Sequence, residues 1–453
     1  MVSQRSGLLA AGGLAMSEAN GLSAKRSLSR RRSNKTQTMV KISRKEVSIF
    51  FYFLFLIALF CSKTLLTIAM IGLLAIGVFE IQLKPFRLGF NPNYWNNLKE
   101  LPKRKDLLAV IGIFLLIVLS FWNSEATEDW GKHIRVKLPF LLLPLAFIQL
   151  PRLSKRGFSH VLYICLLLAT VACIGTGINY ALDYEYITNS IRLGKSIPTP
   201  IHHIRFSLMI AFTVVVGVWL HFSGYYWKKP FERNIIVALT GFLFIFQHVL
   251  SVRSGLVVLY AALGIMSIYF VFYTKKIKFF AILLPILVII PLIAVKTVPT
   301  LKNKIGYLWH DLEKFRNGHR AGFSDGQRFI SWEIGGAVFQ KNQLWGTGFG
   351  DLKNELTVVY EERYPDLKPK LPHNQFLLFA AGMGWTGLLA FLTLFFFPLF
   401  YKKNYRSVVF AAFYTIITIS FLFENTLSSA LGTGIYLFFL LILMQREEGT
   451  IEN

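Results

Sequence analysis

Polar and apolar residues follow one another in long blocks along this chain, not residue by residue. Apolar runs stand at 47–61, 64–79, 106–122, 136–150, 158–182, 203–220, 234–250, 255–273, 279–295, 374–401, 407–423 and 427–444. A helix of about 20 apolar residues crosses a bilayer, so the pattern predicts an all-α, polytopic transmembrane bundle of about 12 spans. The first two spans are joined by a tight turn at "CSKT", and 136–150 is short for a crossing. One long hydrophilic segment, 296–372, interrupts the pattern. Inside it "LKNKIGYLWHDLEKF", "SDGQRFISWEIGGAVFQKN" and "DLKNELTVVYEERY" carry apolar residues at helical spacing, and the glycines of "LWGTGFGDL" break the chain between the last two. A loop of that size with its own helices is more often functional than idle.

Charge orients the bundle. With the amino terminus in the cytoplasm, "KISRK", "KPFR", "LPKRK", "PRLSKR", "WKKPFER", "TKKIK" and "YKKNYR" all fall on the inside, as the positive-inside rule requires. Both termini then face the cytoplasm and 296–372 becomes one large helical periplasmic loop. The expected organisation is a disordered basic N-terminal tail at 1–38, transmembrane helices 1–9 within 39–295, the periplasmic loop 296–372, transmembrane helices 10–12 within 373–444, and a cytoplasmic tail at 445–453. The tail contains "RSLSRRRSNK" and has no apolar period from which to build a core.

Composition agrees with this reading. The chain has 453 residues, is 54% hydrophobic and carries a formal net charge of +25. No zinc-ligand spacing or aromatic RNA-binding platform accompanies that charge, so nucleic acid is not the expected partner. Cys61, Cys165 and Cys173 lie in or beside apolar runs without paired spacing, which argues against a disulfide framework or a metal site. "GTGFG" is not followed by Lys-Ser/Thr and is not a phosphate-binding P-loop.

The informative residues are ionisable groups at the outer edge of the spans, where burial is costly unless they pair or line a wet cavity. Arg205 sits in "IPTPIHHIRFSLMI", Arg253 in "QHVLSVRSGLVV" and Arg328 in "GQRFISWE". All three can reach one outward cavity, and guanidinium forks match phosphate oxygens. An arginine at a helix end can also simply snorkel to lipid headgroups. His203 stays in play beside Arg205, whereas His202 and His248 read as interfacial. His373 stands at the start of the tenth span, between Pro372 and Asn374. The positive end of a helix dipole disfavours an imidazolium, so the ring is expected to accept a proton and serve as a general base, with Asn374 capping or orienting. Glu424 and Asn425, in the last outer turn, either line the same cavity or cap helices, and the cap is the reading preferred.

In order along the chain, "FWNSEATEDWGKHIRVKLPFLLLPLAF", "IHHIRFSLM", "SVRSGLVVLYAALG", "QRFISWEIGGAVF", "LWGTGFGDL" and "PHNQFLLFAAGMGWTGLL" resemble the O-antigen ligase and polymerase superfamily of bacterial inner-membrane glycosyltransferases, the ligase branch above all. The resemblance implies an enzyme of the bacterial inner membrane, with its active site facing the periplasm. It would transfer a glycan from a polyprenyl (undecaprenyl) diphosphate carrier to a sugar hydroxyl of lipid A–core, by inverting displacement and without metal, nucleotide or other cofactor. His373 matches the family's loop histidine, Arg328 its loop arginine and Arg253 its membrane-edge arginine, with Arg205 a looser match. The nearest rivals are an O-antigen or capsule polymerase and a protein O-oligosaccharyltransferase. A lipid or polysaccharide transporter is the rival from another class, but internal repeats of the kind common there are not seen.

Overall fold

The computed structural model describes residues 44–83, 86–274, 277–317 and 324–445. The basic tail at 1–38 and all but the first residue of the tail at 445–453 lie outside the described residues. The chain is nearly all-α. Helices α1 (Arg44–Cys61) and α2 (Lys63–Val78) form an antiparallel pair, and Ser62 in the "CSKT" turn caps α2 by accepting a hydrogen bond from the Thr64 amide at 3.2 Å. There follow α3 (Tyr94–Lys99), α4 (Lys105–Leu119), α5 (Thr127–Lys137), α6 (Pro139–Phe147), α7 (Lys155–Leu182), α8 (Tyr184–Arg192), α9 (His203–Phe222), α10 (Glu232–Leu250), α11 (Arg253–Thr274) and α12 (Ile277–Thr297). The hydrophilic segment supplies α13 (Pro299–Arg316), α14 (Ser324–Lys341) and α15 (Leu352–Arg363). The chain closes with α16 (Gln375–Phe400), α17 (Val408–Phe423) and α18 (Ala430–Met444).

Among the described residues, six stretches are long and apolar enough to cross a membrane: 105–123, 155–182, 203–222, 232–250, 253–272 and 375–406. Helices α2, α17 and α18 and the second half of α12 are apolar but shorter, so length alone supports fewer crossings than the apolar runs suggested. The short run at 136–150 is not one helix. Lys137 ends the amphipathic α5, and Pro139, which cannot donate to a preceding turn, starts the nine-residue α6. One hairpin also departs from the all-α expectation: β1 (Phe79–Leu83) pairs antiparallel with β2 (Phe86–Phe90), Phe79 opposite Phe90 and Leu83 opposite Phe86. Two five-residue strands fall below the length that a search for spans detects.

The core forms around α18 and α9. Every residue from Leu431 to Leu443 is buried, as expected for a helix apolar on all sides. Aromatic rings knit α16, α17 and α18 together, with Phe395, Phe421 and Tyr436 in mutual contact. Helix α16 is broken at Gly384, whose φ of +66° suits glycine alone. Phe379 and Phe391, on either side of the break, stack at 3.9 Å between centroids. The glycine-rich stretch "LWGTGFGDL" docks into this break. Thr347 and Gly348 donate to the carbonyls of Ala381 and Gly382 at 3.1 and 2.8 Å, and Trp385 donates to Gln343 at 2.7 Å. The loop thus satisfies backbone groups that the interrupted helix leaves open. Its far side is tied to the end of α4 and the start of α5. Asn123 donates to the Gly346 carbonyl, and the Asp351 carboxylate accepts from the amides of Glu125 and Ala126 at 2.7 and 2.8 Å.

Candidate active site

Helix α14 reaches α16 through Ile330, Ile334 and Val338, one buried stripe at four-residue spacing. Gly335 lets Pro372 come close, since a Cβ there would meet the proline ring at 2.7 Å. The backbone of His373 is then clamped from the same helix: its amide donates to Ser331 Oγ at 3.1 Å and its carbonyl accepts from Trp332 Nε1 at 2.9 Å. Ser331 Oγ in turn donates to the Arg328 carbonyl at 2.8 Å. Asn374, not His373, caps α16, its side chain accepting from the Leu377 amide at 3.0 Å. The expected pairing of a capping asparagine with a histidine just outside the helix is therefore present.

The ring of His373 faces a group that the sequence reading set aside. Glu424, at the C-terminus of α17, places Oε2 at 3.4 Å from His373 Nδ1 and Oε1 at 2.9 Å from Arg328 Nη2. Glu424 does cap α17, its amide donating to the Ser420 carbonyl at 2.9 Å, and it also lines the site: it is 6% exposed and joins the loop arginine to the histidine. Burial pushes the Glu424 carboxyl up. The hydrogen bond from His373 and the Arg328 guanidinium more than offset this and hold it below the usual carboxylate range. Glu424 is therefore an anion at neutral pH. A carboxylate at Nδ1 favours the tautomer protonated on that nitrogen. The Nε2 lone pair is left to act, and among the described residues nothing hydrogen-bonds to it.

Arg205, in the first turn of α9, shares this electrostatic neighbourhood with Glu424. Its Nε is buried and makes no hydrogen bond among the described residues, the condition of a donor awaiting an acceptor. His203 and His202 stack on each other at 4.6 Å between centroids and lie within electrostatic reach of both Glu424 and Arg328. Arg253 opens α11 at the same end of the bundle. A Cβ on its neighbour Gly255 would overlap the Ser207 hydroxyl, half a turn beyond Arg205 on α9. The link before Arg253 is unusually fixed. Ser251 holds a left-handed φ of +53°, rare for a residue with a side chain, and its hydroxyl bonds the His248 carbonyl at 2.7 Å and Thr300 Oγ1 at 2.7 Å. His248 itself is structural, its ring held between the Phe244 carbonyl and the Tyr260 hydroxyl.

The structure thus joins His373 and Arg328 by direct bonds through Glu424, brings Arg205 and His203 into their field, and sets Arg253 at the same end on a stiffened turn. The guanidinium groups of Arg205, Arg253 and Arg328 outnumber the Glu424 carboxylate, a balance suited to a polyanion. Glu424 did carry a signal: it is the lone acid between Asp366 and Glu447. Among the described residues there is no cluster of ligands fit to hold a metal ion.

No curated protein sequence matches the chain. Residues 235–392 match the family model described as O-antigen ligase. The matched stretch contains Arg253, Arg328 and His373, whereas Arg205 and Glu424 flank it on either side. Members of that family are glycosyltransferase-like enzymes. A nearly all-α architecture with several membrane-length helices and this match over residues 235–392 identify the chain as a multi-pass membrane protein carrying an O-antigen ligase domain, consistent with the O-antigen ligase and polymerase superfamily.

Proposed function

We propose that this protein is an O-antigen ligase that transfers a glycan from a polyprenyl diphosphate carrier to a sugar hydroxyl of lipid A–core, at the periplasmic face of the bacterial inner membrane. The observation that carries the reading is the Arg328–Glu424–His373 chain, which sets a proton acceptor beside guanidinium groups suited to a diphosphate. His373 Nε2 takes the proton of the acceptor hydroxyl as its oxygen attacks the anomeric carbon. The bond from that carbon to the diphosphate oxygen breaks, and the carrier diphosphate leaves with the electron pair. Arg205, Arg253 and Arg328 offset the charge that grows on it. Glu424 positions the ring and balances the proton that the ring has taken. Direct displacement inverts the anomeric centre.

The test uses purified protein, a synthetic polyprenyl diphosphate glycan and lipid A–core, with products separated by size. Wild type should place glycan on lipid A–core, and His373→Ala should lose about 10²–10⁴-fold in rate while still binding donor. Unchanged turnover in that variant removes the general-base role. Growth of carrier-linked chains in place of the lipid A–core product would make the protein a polymerase.

A further inference from the structure

The turn that carries Glu424 is gripped at one residue, Leu427, by three side chains. Lys137, the last residue of α5, is 2% exposed, and its Nζ donates to the Leu427 carbonyl at 2.6 Å. Gln375, the first residue of α16, is fully buried, and its Oε1 accepts from the Leu427 amide at 2.9 Å. Thr433 of α18 adds a second donor to the same carbonyl at 3.1 Å. Lysine is almost never fully buried unless its charge is answered, yet among the described residues Lys137 pairs with no carboxylate. What its Nζ holds is the turn. Gln375 Nε2 has no acceptor among the described residues, so the bond to Leu427 is what its side chain makes here.

The grip lies close to the proposed chemistry on both sides. Gln375 is two residues from His373, and Leu427 is three from Glu424, within about 10 Å of extended chain. Between those two, the Glu424 amide donates to the Ser420 carbonyl at 2.9 Å and Ser420 Oγ meets Thr426 Oγ1 at 2.8 Å, so the turn has little slack. We infer that Lys137 and Gln375 are positioning residues: by holding the carbonyl and the amide of Leu427, in the peptide groups on either side of its Cα, they fix the Glu424 carboxylate against His373 and Arg328. The catalytic consequence rests on the glycan-transfer reading above, while the latch itself stands on the structure alone.

Two measurements on the full-length protein in lipid nanodiscs separate these. Hydrogen–deuterium exchange over 424–429 reads the latch directly. Lys137→Met, and independently Gln375→Met, should speed exchange there by tenfold or more, while a distant span such as α7 is unaffected; unchanged exchange in both variants overturns the latch. Transfer kinetics read its consequence. Lys137→Met should lower kcat by about 10²-fold, the effect of a small misplacement of reacting groups, with the donor KM unchanged. In a Glu424→Gln background the same substitution should cost no more than about twofold, because the carboxylate that it positions is already gone. Full multiplication of the two losses would show a general structural role and overturn the assignment. Absence of transfer by wild type would remove the functional reading, and exchange would still decide the latch.

Discussion

Replacing Glu424 with glutamine keeps the shape of the side chain and removes its charge. The carboxylate makes two charge-assisted contacts, at 2.9 Å to Arg328 and 3.4 Å to His373. Such bonds contribute about 1.5–3 kcal/mol when buried. The side chains of Arg328 and His373 are 24% and 26% exposed, so screening reduces the loss of stability to about 1–2 kcal/mol. The effect on catalysis should be larger. With one amide oxygen for two donors, glutamine turns its oxygen to Arg328 and its NH2 to Nδ1, which favours the wrong tautomer and leaves the charged ring unbalanced; a fall in kcat of about 10²-fold corresponds to about 2.7 kcal/mol of barrier. Donor binding should move the other way or not at all, because Arg328 loses an anion that competes with the diphosphate. Steady-state kinetics with varied donor give both quantities, and a fall in kcat without a rise in KM marks an interaction used in the transition state. A Glu424→Gln enzyme with normal kcat, or one whose only defect is a raised donor KM, would refute the dyad.

The same carboxylate makes a pH prediction. Its folded value is depressed, so its contribution to stability is complete above the ordinary carboxylate range and is lost as pH falls through the folded value. The gap in unfolding temperature between wild type and Glu424→Gln should therefore be constant near neutral pH and close in acid; a gap that widens in acid contradicts the sign. Arg253→Gln should raise the donor KM about 10–100-fold, the loss of one or two charge-assisted bonds, as measured by donor titration; unaltered affinity would exclude Arg253 from the diphosphate site. Gly384→Ala forces a side chain into left-handed backbone, about 1–2 kcal/mol, and sets a Cβ 2.3 Å from the backbone of Leu344. Its unfolding temperature should drop well below that of Gly382→Ala, where the nearest atom to the added Cβ is a Phe349 ring carbon at 3.4 Å, and equal values would show that the docked loop tolerates displacement.

What the sequence made legible is what depends on local pattern. Apolar blocks marked the long helices, and Arg205, Arg328 and His373 stood out because charge at the edge of a span is expensive. The hairpin at 79–90 and the division of 136–150 escaped for a local reason as well: the elements there are shorter than the ruler used to find them. The second role of Glu424, beside its cap, was hidden by a different physics. It touches partners 96 and 51 positions away in the chain, and seen alone, one acid after an apolar run looks like any helix end. Lys137 was hidden in the same way, inside a segment whose apolar average concealed one lysine nitrogen held by a carbonyl 290 positions later. Both residues act through a turn whose amino acids, "ENTLSS", announce a loop and nothing more. In a membrane bundle the loops at one end are brought together by helices distant in sequence, so the chemistry there is built from single residues that no local spacing links. A lone acid inside an otherwise cationic stretch is the one signal that survives, and Glu424 is the case in point.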